Sequence, residues 1–360
     1  MKTAGEFAQR RERLREILTR EHVDALLVVA PSNVRYLSGF TGSNGALLIT
    51  NDRELLFTDP RYQTQAPRET ECDVKISKKS LAESAIEWAK RLKVNRLAFE
   101  RNRISYERHQ ELQKARGTIG LKGLSGLVEE LRMVKSVAER ETIRAAVLLN
   151  SEALELALKQ LKPGMTEIDL AAEIEFRMRR LGADGPSFET IVASGDRSAL
   201  PHAHPTVGEI HPDQLLLIDM GATVAGYASD MTRTLAVGSL NAKSKRIYRA
   251  VWESQLAAID AIKPGVTANA VDQAARRVLR RSGLDKLFIH STGHGLGLEI
   301  HEGPRLGKKV ATKLEAGMVI TVEPGVYVEG FGGVRIEDTV VVTASGHEVL
   351  TPTSKELRTL

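Results

Sequence analysis

Two stretches decide the architecture: KPGMTEIDLAAEIEFRMRRLG at residues 162–182 and KPGVTANAVDQAARRVLRRSG at residues 263–283. The second starts 101 residues after the first, and Lys-Pro-Gly, a threonine (Thr166, Thr267), an arginine pair and the final glycine coincide. In each copy Lys-Pro-Gly stops one helix and the threonine starts the next. Each copy follows a long helix-periodic segment and precedes a strand-rich one. Lys-Pro-Gly could recur merely as a helix stop, but the match continues past the turn. The repeat therefore points to a duplicated unit, two similar halves about a pseudo-two-fold axis with a cleft between them.

Outward from the repeat, Ser136 and Glu139 form a capping box, and an apolar stripe follows through Ile143, Val147, Leu154 and Leu158. Before about Gly123 the pattern differs. An apolar run at 25–30, a hairpin pattern at 45–50 and 54–58, helix patterns at 80–92 and 105–115 and a strand at 96–100 describe an α/β layer. The expected division is a smaller α/β domain at 1–128 and an α+β domain with the repeat at 129–360.

The chain has 360 residues and a net charge of +5, from 51 Lys and Arg against 46 Asp and Glu. That length suits two domains, and the 42% hydrophobic and 27% charged content argues against disorder. A single cysteine, Cys72, excludes an internal disulfide framework and a thiolate metal cluster within one chain. No apolar run is long enough to span a membrane. Charges such as Arg10, Glu12 and Arg13 occupy the place of a signal-peptide core, while Phe7, Leu14, Ile17 and Leu18 lie at helical spacing. The expectation is a cytoplasmic protein without membrane or nucleic-acid partners. The clustered Arg276, Arg277, Arg280 and Arg281 are read as a solvated helical face.

Chemistry concentrates where acids interrupt apolar strands. In LLLIDMGATVAGYASDMTRTLAV (215–237), Asp219 ends an apolar run and Asp230 lies on the returning strand. In GMVITVEPGVYVEGFGGVRIEDTVV (317–341), Glu323 ends one apolar run and Glu337 sits in the strand-like 334–341, sharing a face with Arg335. Between them, IHSTGHGLGLEIHE (289–302) holds His290, His294 and His301, and glycines flank His294 as if for close approach to a ligand. Each acid has a structural excuse alone. Together they would repel one another and raise their pKa values. Two divalent cations remove that conflict, and an oxygen-rich set with one imidazole suits Mn²⁺, Co²⁺, Zn²⁺ or Fe²⁺. Paired metals of this kind activate water for hydrolysis.

With these residues in place, the chain resembles the creatinase/prolidase/methionine aminopeptidase superfamily, the pita-bread metallopeptidases, and looks most like Xaa-Pro aminopeptidases and Xaa-Pro dipeptidases. NVRYLSGFTGSNGALLIT at 33–50 resembles the family's N-terminal domain, and the chain after about 130 resembles its catalytic domain. The resemblance implies two metal ions, Mn²⁺ first among them, held by Asp219, Asp230, His294, Glu323 and Glu337, with Asp230 and Glu337 bridging. It implies that Glu323 takes a proton from the water and that His301 stabilises the scissile carbonyl. His202, in RSALPHAHPT (197–206), would contact substrate, although Ala203 departs from the family's glycine and leaves His204 as a competitor. Arg335 would orient the bridging carboxylates, and Arg305 is a candidate clamp for a substrate carboxylate. A homodimer is implied as well. The reading put first is an Xaa-Pro aminopeptidase; an Xaa-Pro dipeptidase and a non-catalytic peptidase-like binding protein are the alternatives.

Overall fold

The structure, a computed structural model, describes residues 4–360 and contains two compact units that meet in sequence at Arg132 and Met133. In the first unit, α1 (Ala4–Arg20), β1 (Ala25–Val28), α2 (Pro31–Ser38), β2 (Gly45–Thr50) and β3 (Glu54–Thr58) lead into α3 (Ala66–Glu69) and β4 (Asp73–Ile76). Then come α4 (Leu81–Arg91), β5 (Arg96–Glu100), α5 (Tyr106–Ala115), β6 (Gly120–Leu124) and α6 (Leu127–Met133). The six strands form one mixed sheet, ordered β4-β3-β2-β1-β5-β6. Alternation along the strands builds its core. Leu27, Leu48, Leu55 and Leu97 pack with Ala85, Ile86 and Ala89 of α4 and Leu112 of α5. Their neighbours Leu26, Leu47 and Leu56 are equally buried, as are Leu14 and Leu18 of α1. A sheet apolar on both faces needs a cover on each.

The second unit opens with α7 (Val137–Leu158), whose Ser136–Glu139 capping box is formed, and α8 (Glu167–Arg180), capped by Thr166 and Asp169. The strands β7 (Gly185–Pro186), β8 (Ile191–Ser194), β9 (Gln214–Met220), β10 (Ala222–Val224), β11 (Tyr227–Ala228) and β12 (Met231–Val237) complete the first half. The second half has α9 (Ala242–Asp260) and α10 (Ala268–Arg281), followed by β13 (Gly293–Gly295), β14 (Glu302–Leu306) and β15 (Val319–Val322). It ends with β16 (Gly325–Val328), β17 (Gly332–Arg335), β18 (Asp338–Val342) and β19 (His347–Val349). The main sheets run β12-β9-β8 and β14-β13-β15-β18-β19.

The repeat is visible hydrogen bond by hydrogen bond. Ile210 N–H donates to Met165 O, Glu167 N–H to Gly208 O and Ile168 N–H to Thr206 O. In the second half Leu314 donates to Val266, Ala268 to Thr312 and Asn269 to Val310, the helix-side partners again 101 residues on. The turn glycines agree too, with φ +83° at Gly164 and +84° at Gly265. Only glycine takes this left-handed turn without strain. Within each half the paired helices pack on the sheet: Leu154, Leu170, Ile174 and Met178 against Leu216 and Ile218, and Val251, Val271, Ala275 and Leu279 against Ile320 and Val340.

Two expectations need correction. Glu337 is not inside a strand; it lies between β17 and β18, where the chain passes from the hairpin β16–β17 to the larger sheet. Arg276 is not on a solvated face. It is 5% exposed and pairs with Asp272 at 2.8 Å, while Arg277, Arg280 and Arg281 are exposed. Its guanidinium also donates to the carbonyls of Phe288 and His290, so one charge of the cluster serves the interior. A charge pattern in sequence cannot separate the arginine facing inward from its neighbours.

Candidate active site

A cleft of about 670 Å³ in the second unit is lined by Asp219, Asp230, His294, Glu323 and Glu337, together with His202, His301, Arg305 and Arg335. Every site residue singled out in the sequence therefore lines one cavity. The positions follow from strand pairing. Asp219 is the penultimate residue of β9, and Asp230 immediately precedes β12, which pairs antiparallel with β9 from Met231 opposite Met220. Glu323 immediately follows β15, whose Ile320 lies opposite Gly295 of β13, next to His294. Glu337 is tied to β12 by its own N–H, which donates to Thr232 O at 3.1 Å.

The glycines beside His294 act differently from expectation. A Cβ on Gly293 would lie 2.0 Å from Thr321 O, and one on Gly295 would lie 2.0 Å from Gly303 O. They permit close approach of neighbouring strands, not of a ligand.

The polar atoms converge. His294 Nε2 is 3.5 Å from Asp230 Oδ2 and 3.5 Å from Glu323 Oε1. Ligand atoms of Asp230, His294 and Glu337 all lie within 4.8 Å of one another, a group able to hold a metal ion. His294 Nδ1 faces the Gly295 carbonyl at 3.0 Å, which can only accept, so the proton sits on Nδ1 and the Nε2 lone pair faces the carboxylates. Burial pushes this imidazole down to about 4, which keeps it neutral.

The carboxyls move the other way. Burial, then repulsion from Glu337 and its neighbours, raises Asp230 well above its usual range. Glu337 is raised by burial and by Glu323 and Asp219, and burial takes Glu323 up to about 7. Three buried oxygens, Asp219 Oδ1, Asp230 Oδ1 and Glu337 Oε1, have no hydrogen-bond donor. Buried acceptors without donors are costly, and cations satisfy them where the protein does not. The donor set of carboxylates and one imidazole, without sulfur, fits a borderline-to-hard divalent ion.

Around this group runs a second layer that sequence reading only partly found. Arg335 is 3% exposed and donates from Nη2 to Asp219 Oδ2, from Nε to Thr232 Oγ1 and from Nη1 to Tyr327 Oη. Thr232 Oγ1 donates onward to Glu337 Oε2 at 2.8 Å. Arg335 thus touches Asp219 directly and Glu337 through Thr232. Tyr327 Oη also meets His290 Nε2 at 2.9 Å. Tyr327 is not among the residues the sequence singles out; its signal there is a tyrosine four residues past Glu323 in an apolar run. His202 and His204 both line the cleft, and His204 pairs with Glu189 at 3.1 Å in the exposed rim. His301 stands beside His294 with ring centroids 4.4 Å apart.

Comparison with known proteins agrees with this geometry. The model of metallopeptidase family M24 matches residues 141–344, and that of the creatinase/prolidase N-terminal domain matches 10–134. The Xaa-Pro dipeptidase of Pyrococcus furiosus is 37% identical over 97% of this chain and 99% of its own. The solved Xaa-Pro dipeptidase of Bacillus anthracis superposes with a TM-score of 0.96 at 39% identity, over 98% of this chain and 100% of that one. The X-Pro aminopeptidase of Thermotoga maritima gives 0.90 at 37% identity, over 98% and 100%. With its pita-bread domain preceded by a creatinase-type N-terminal domain, the chain belongs to metallopeptidase family M24.

Proposed function

We propose that the protein is a dinuclear metallopeptidase acting as an Xaa-Pro dipeptidase, cutting the bond between a residue and a C-terminal proline. The observation that carries this is the set of donor-less carboxylate oxygens around His294, in a cleft that also holds Arg305. The aminopeptidase reading put first from sequence gives way to its alternative, because the Pyrococcus furiosus and Bacillus anthracis relatives are Xaa-Pro dipeptidases.

In this reading Asp219, Asp230, His294, Glu323 and Glu337 would hold two divalent cations, with Mn²⁺ the first choice. When bound, the pair supplies Lewis-acid activation of water and of the scissile carbonyl. Glu323 would receive the proton of the attacking water, its carboxylate standing 3.5 Å from His294 Nε2 in the same cleft. His301 would donate to the scissile carbonyl oxygen as charge develops there, and His202, which lines the same cleft, would contact substrate. Arg335 holds Asp219 in one orientation. Arg305, exposed at the cleft wall, pairs its guanidinium fork with the substrate's C-terminal carboxylate. This last contact favours a dipeptide over a longer chain.

The same reading carries a homodimer, which sedimentation of the purified protein tests. Among the described residues no helix is long and apolar enough to cross a membrane. The deciding experiment compares hydrolysis of Ala-Pro and Ala-Pro-Ala by protein reconstituted with Mn²⁺. Cleavage of the dipeptide with little of the tripeptide is expected. Preference for the tripeptide would restore the aminopeptidase, and a protein that binds no metal and cuts neither would leave a binding role.

A further inference from the structure

One wall of the cleft is a segment, residues 194–206, that carries Pro201, His202, Ala203 and His204 yet contains only a short 3-10 turn. Irregular backbone holds a side chain in register only if something else fixes it. Behind this segment sits a carboxylate that the proposed chemistry does not use. Glu167, the first residue of α8, is fully buried.

Glu167 accepts five hydrogen bonds, four from the two ends of the segment and one from Arg197 within it. Oε1 accepts from Ser194 N–H at 2.8 Å and Ser194 Oγ at 3.2 Å. Oε2 accepts from Thr206 N–H at 3.0 Å, Thr206 Oγ1 at 2.8 Å and Arg197 Nε at 3.1 Å. Arg197 then spans the segment, donating from Nη2 to the carbonyl of His204 at 2.6 Å. A single carboxylate therefore closes the loop at both ends and, through Arg197, grips it beside His202.

Starting the helix does not require this acid. The equivalent position in the second half, 101 residues on, is Ala268, and there the same backbone hydrogen bonds form without a carboxylate. The second half fixes its own cleft segment from a different position. Asp272, one turn into α10, accepts from Thr292 Oγ1 at 2.8 Å and pairs with Arg276, which holds the carbonyls of Phe288 and His290. The two halves reach one arrangement, a buried helix carboxylate with an arginine arm, from non-equivalent residues. That points to a demand made by the cleft rather than by the helix turn.

We propose that Glu167 is a positioning residue that sets where His202 stands in the cleft and thereby tunes substrate binding. The proposal rests on the reading of His202 as a substrate contact. Glutamine at 167 has the same shape but turns an NH₂ toward backbone N–H donors, so one end of the loop loses its acceptor.

The test is a double-mutant cycle of Glu167→Gln and His202→Ala on the Mn²⁺-loaded enzyme with Ala-Pro. Glu167→Gln alone should lower kcat/KM by about 10- to 100-fold, mostly through KM, as expected for lost hydrogen bonds to a charged group. Mn²⁺ stoichiometry and affinity by titration calorimetry should not change. In the His202→Ala background the same substitution should cost less than about 3-fold, because its route to the substrate is gone. Equal costs in both backgrounds, or wild-type kinetics for Glu167→Gln, overturn the proposal. Should Glu167→Gln fail to fold, Arg197→Met, at a half-exposed side chain, enters the same cycle and must show the same non-additivity; additivity there overturns it. Hydrogen exchange of residues 195–205 is read independently of substrate. Faster exchange in Glu167→Gln supports the clamp even if Ala-Pro proves not to be a substrate, and unchanged exchange refutes it.

Discussion

Stripped of cations, this protein should become less stable as pH rises, the reverse of its behaviour when loaded. Asp230, Glu323 and Glu337 are buried together, and in the metal-free fold all three bind protons more tightly than ordinary carboxyls do. The native state then binds more protons than the unfolded chain, so stability falls with increasing pH. The stabilising contribution is complete below the unfolded value near 4.5 and is lost as pH climbs through the folded one. For Glu323 that window runs from 4.5 to about 7. At about 1.4 kcal/mol per tenfold change in proton affinity, the rise amounts to about 3 kcal/mol. In a domain of this size each kcal/mol moves Tm by roughly 2–4 °C, so Glu323 alone is worth roughly 6–12 °C. Calorimetry of EDTA-treated protein at pH 5.5 and 8.5, a span that starts above the unfolded value, reads about 2 kcal/mol of this, roughly 4–8 °C, and Glu323→Gln isolates the one carboxyl. The wild type should lose more Tm between the two pH values than the variant, and saturating Mn²⁺ should reverse the trend by competing with the protons. Parallel slopes for wild type and variant without metal would refute the account of the site's electrostatics.

Two further predictions concern arginines. Arg305→Met should raise KM for Ala-Pro about 10-fold or more, the usual weight of a charge-assisted contact, while the rate on Ala-Pro-Ala changes little; steady-state kinetics on both peptides decide it. Arg233→Met should cost about 3–5 kcal/mol in urea unfolding, because Arg233, 1% exposed, places all five N–H donors on Asp338 and on the carbonyls of Thr232, Glu337, Thr353 and Ser354. An unfolding curve equal to wild type would show that these bonds contribute nothing net.

Much of this was legible in the sequence because its signals are local. Capping boxes at Ser136 and Thr166 specify helix starts within four residues, and an acid ending an apolar run is conspicuous wherever it occurs. The repeat was legible for the same reason: a turn, a cap and a closing glycine recur as a set. What sequence reading missed depends on contacts between distant segments. Arg276 differs from Arg277 only in which way α10 faces, and Glu337 leaves its strand because Thr232, 105 residues earlier, captures it. The glycines around His294 were legible as a need for space, but only the pairing of β13 with β14 and β15 says that carbonyls fill that space. The sequence reading put the aminopeptidase ahead of the dipeptidase on slight grounds, since in the proposed reading one exposed arginine separates the two and surface arginines look alike.

The repeat has a consequence for how the site comes into being. Asp219 and Asp230 belong to the first half, whereas His294, Glu323 and Glu337 belong to the second. During synthesis from the N-terminus, the first half therefore emerges holding two carboxylates and no imidazole, a poor chelator. The proposed donor set is complete only once Glu337 has emerged and seated against Thr232. Its backing is later still, since Arg233 waits for the carbonyls of Thr353 and Ser354, which follow every proposed ligand in the chain. Such a centre would mature only after both halves have emerged, and ions bound there would rivet one half of the domain to the other.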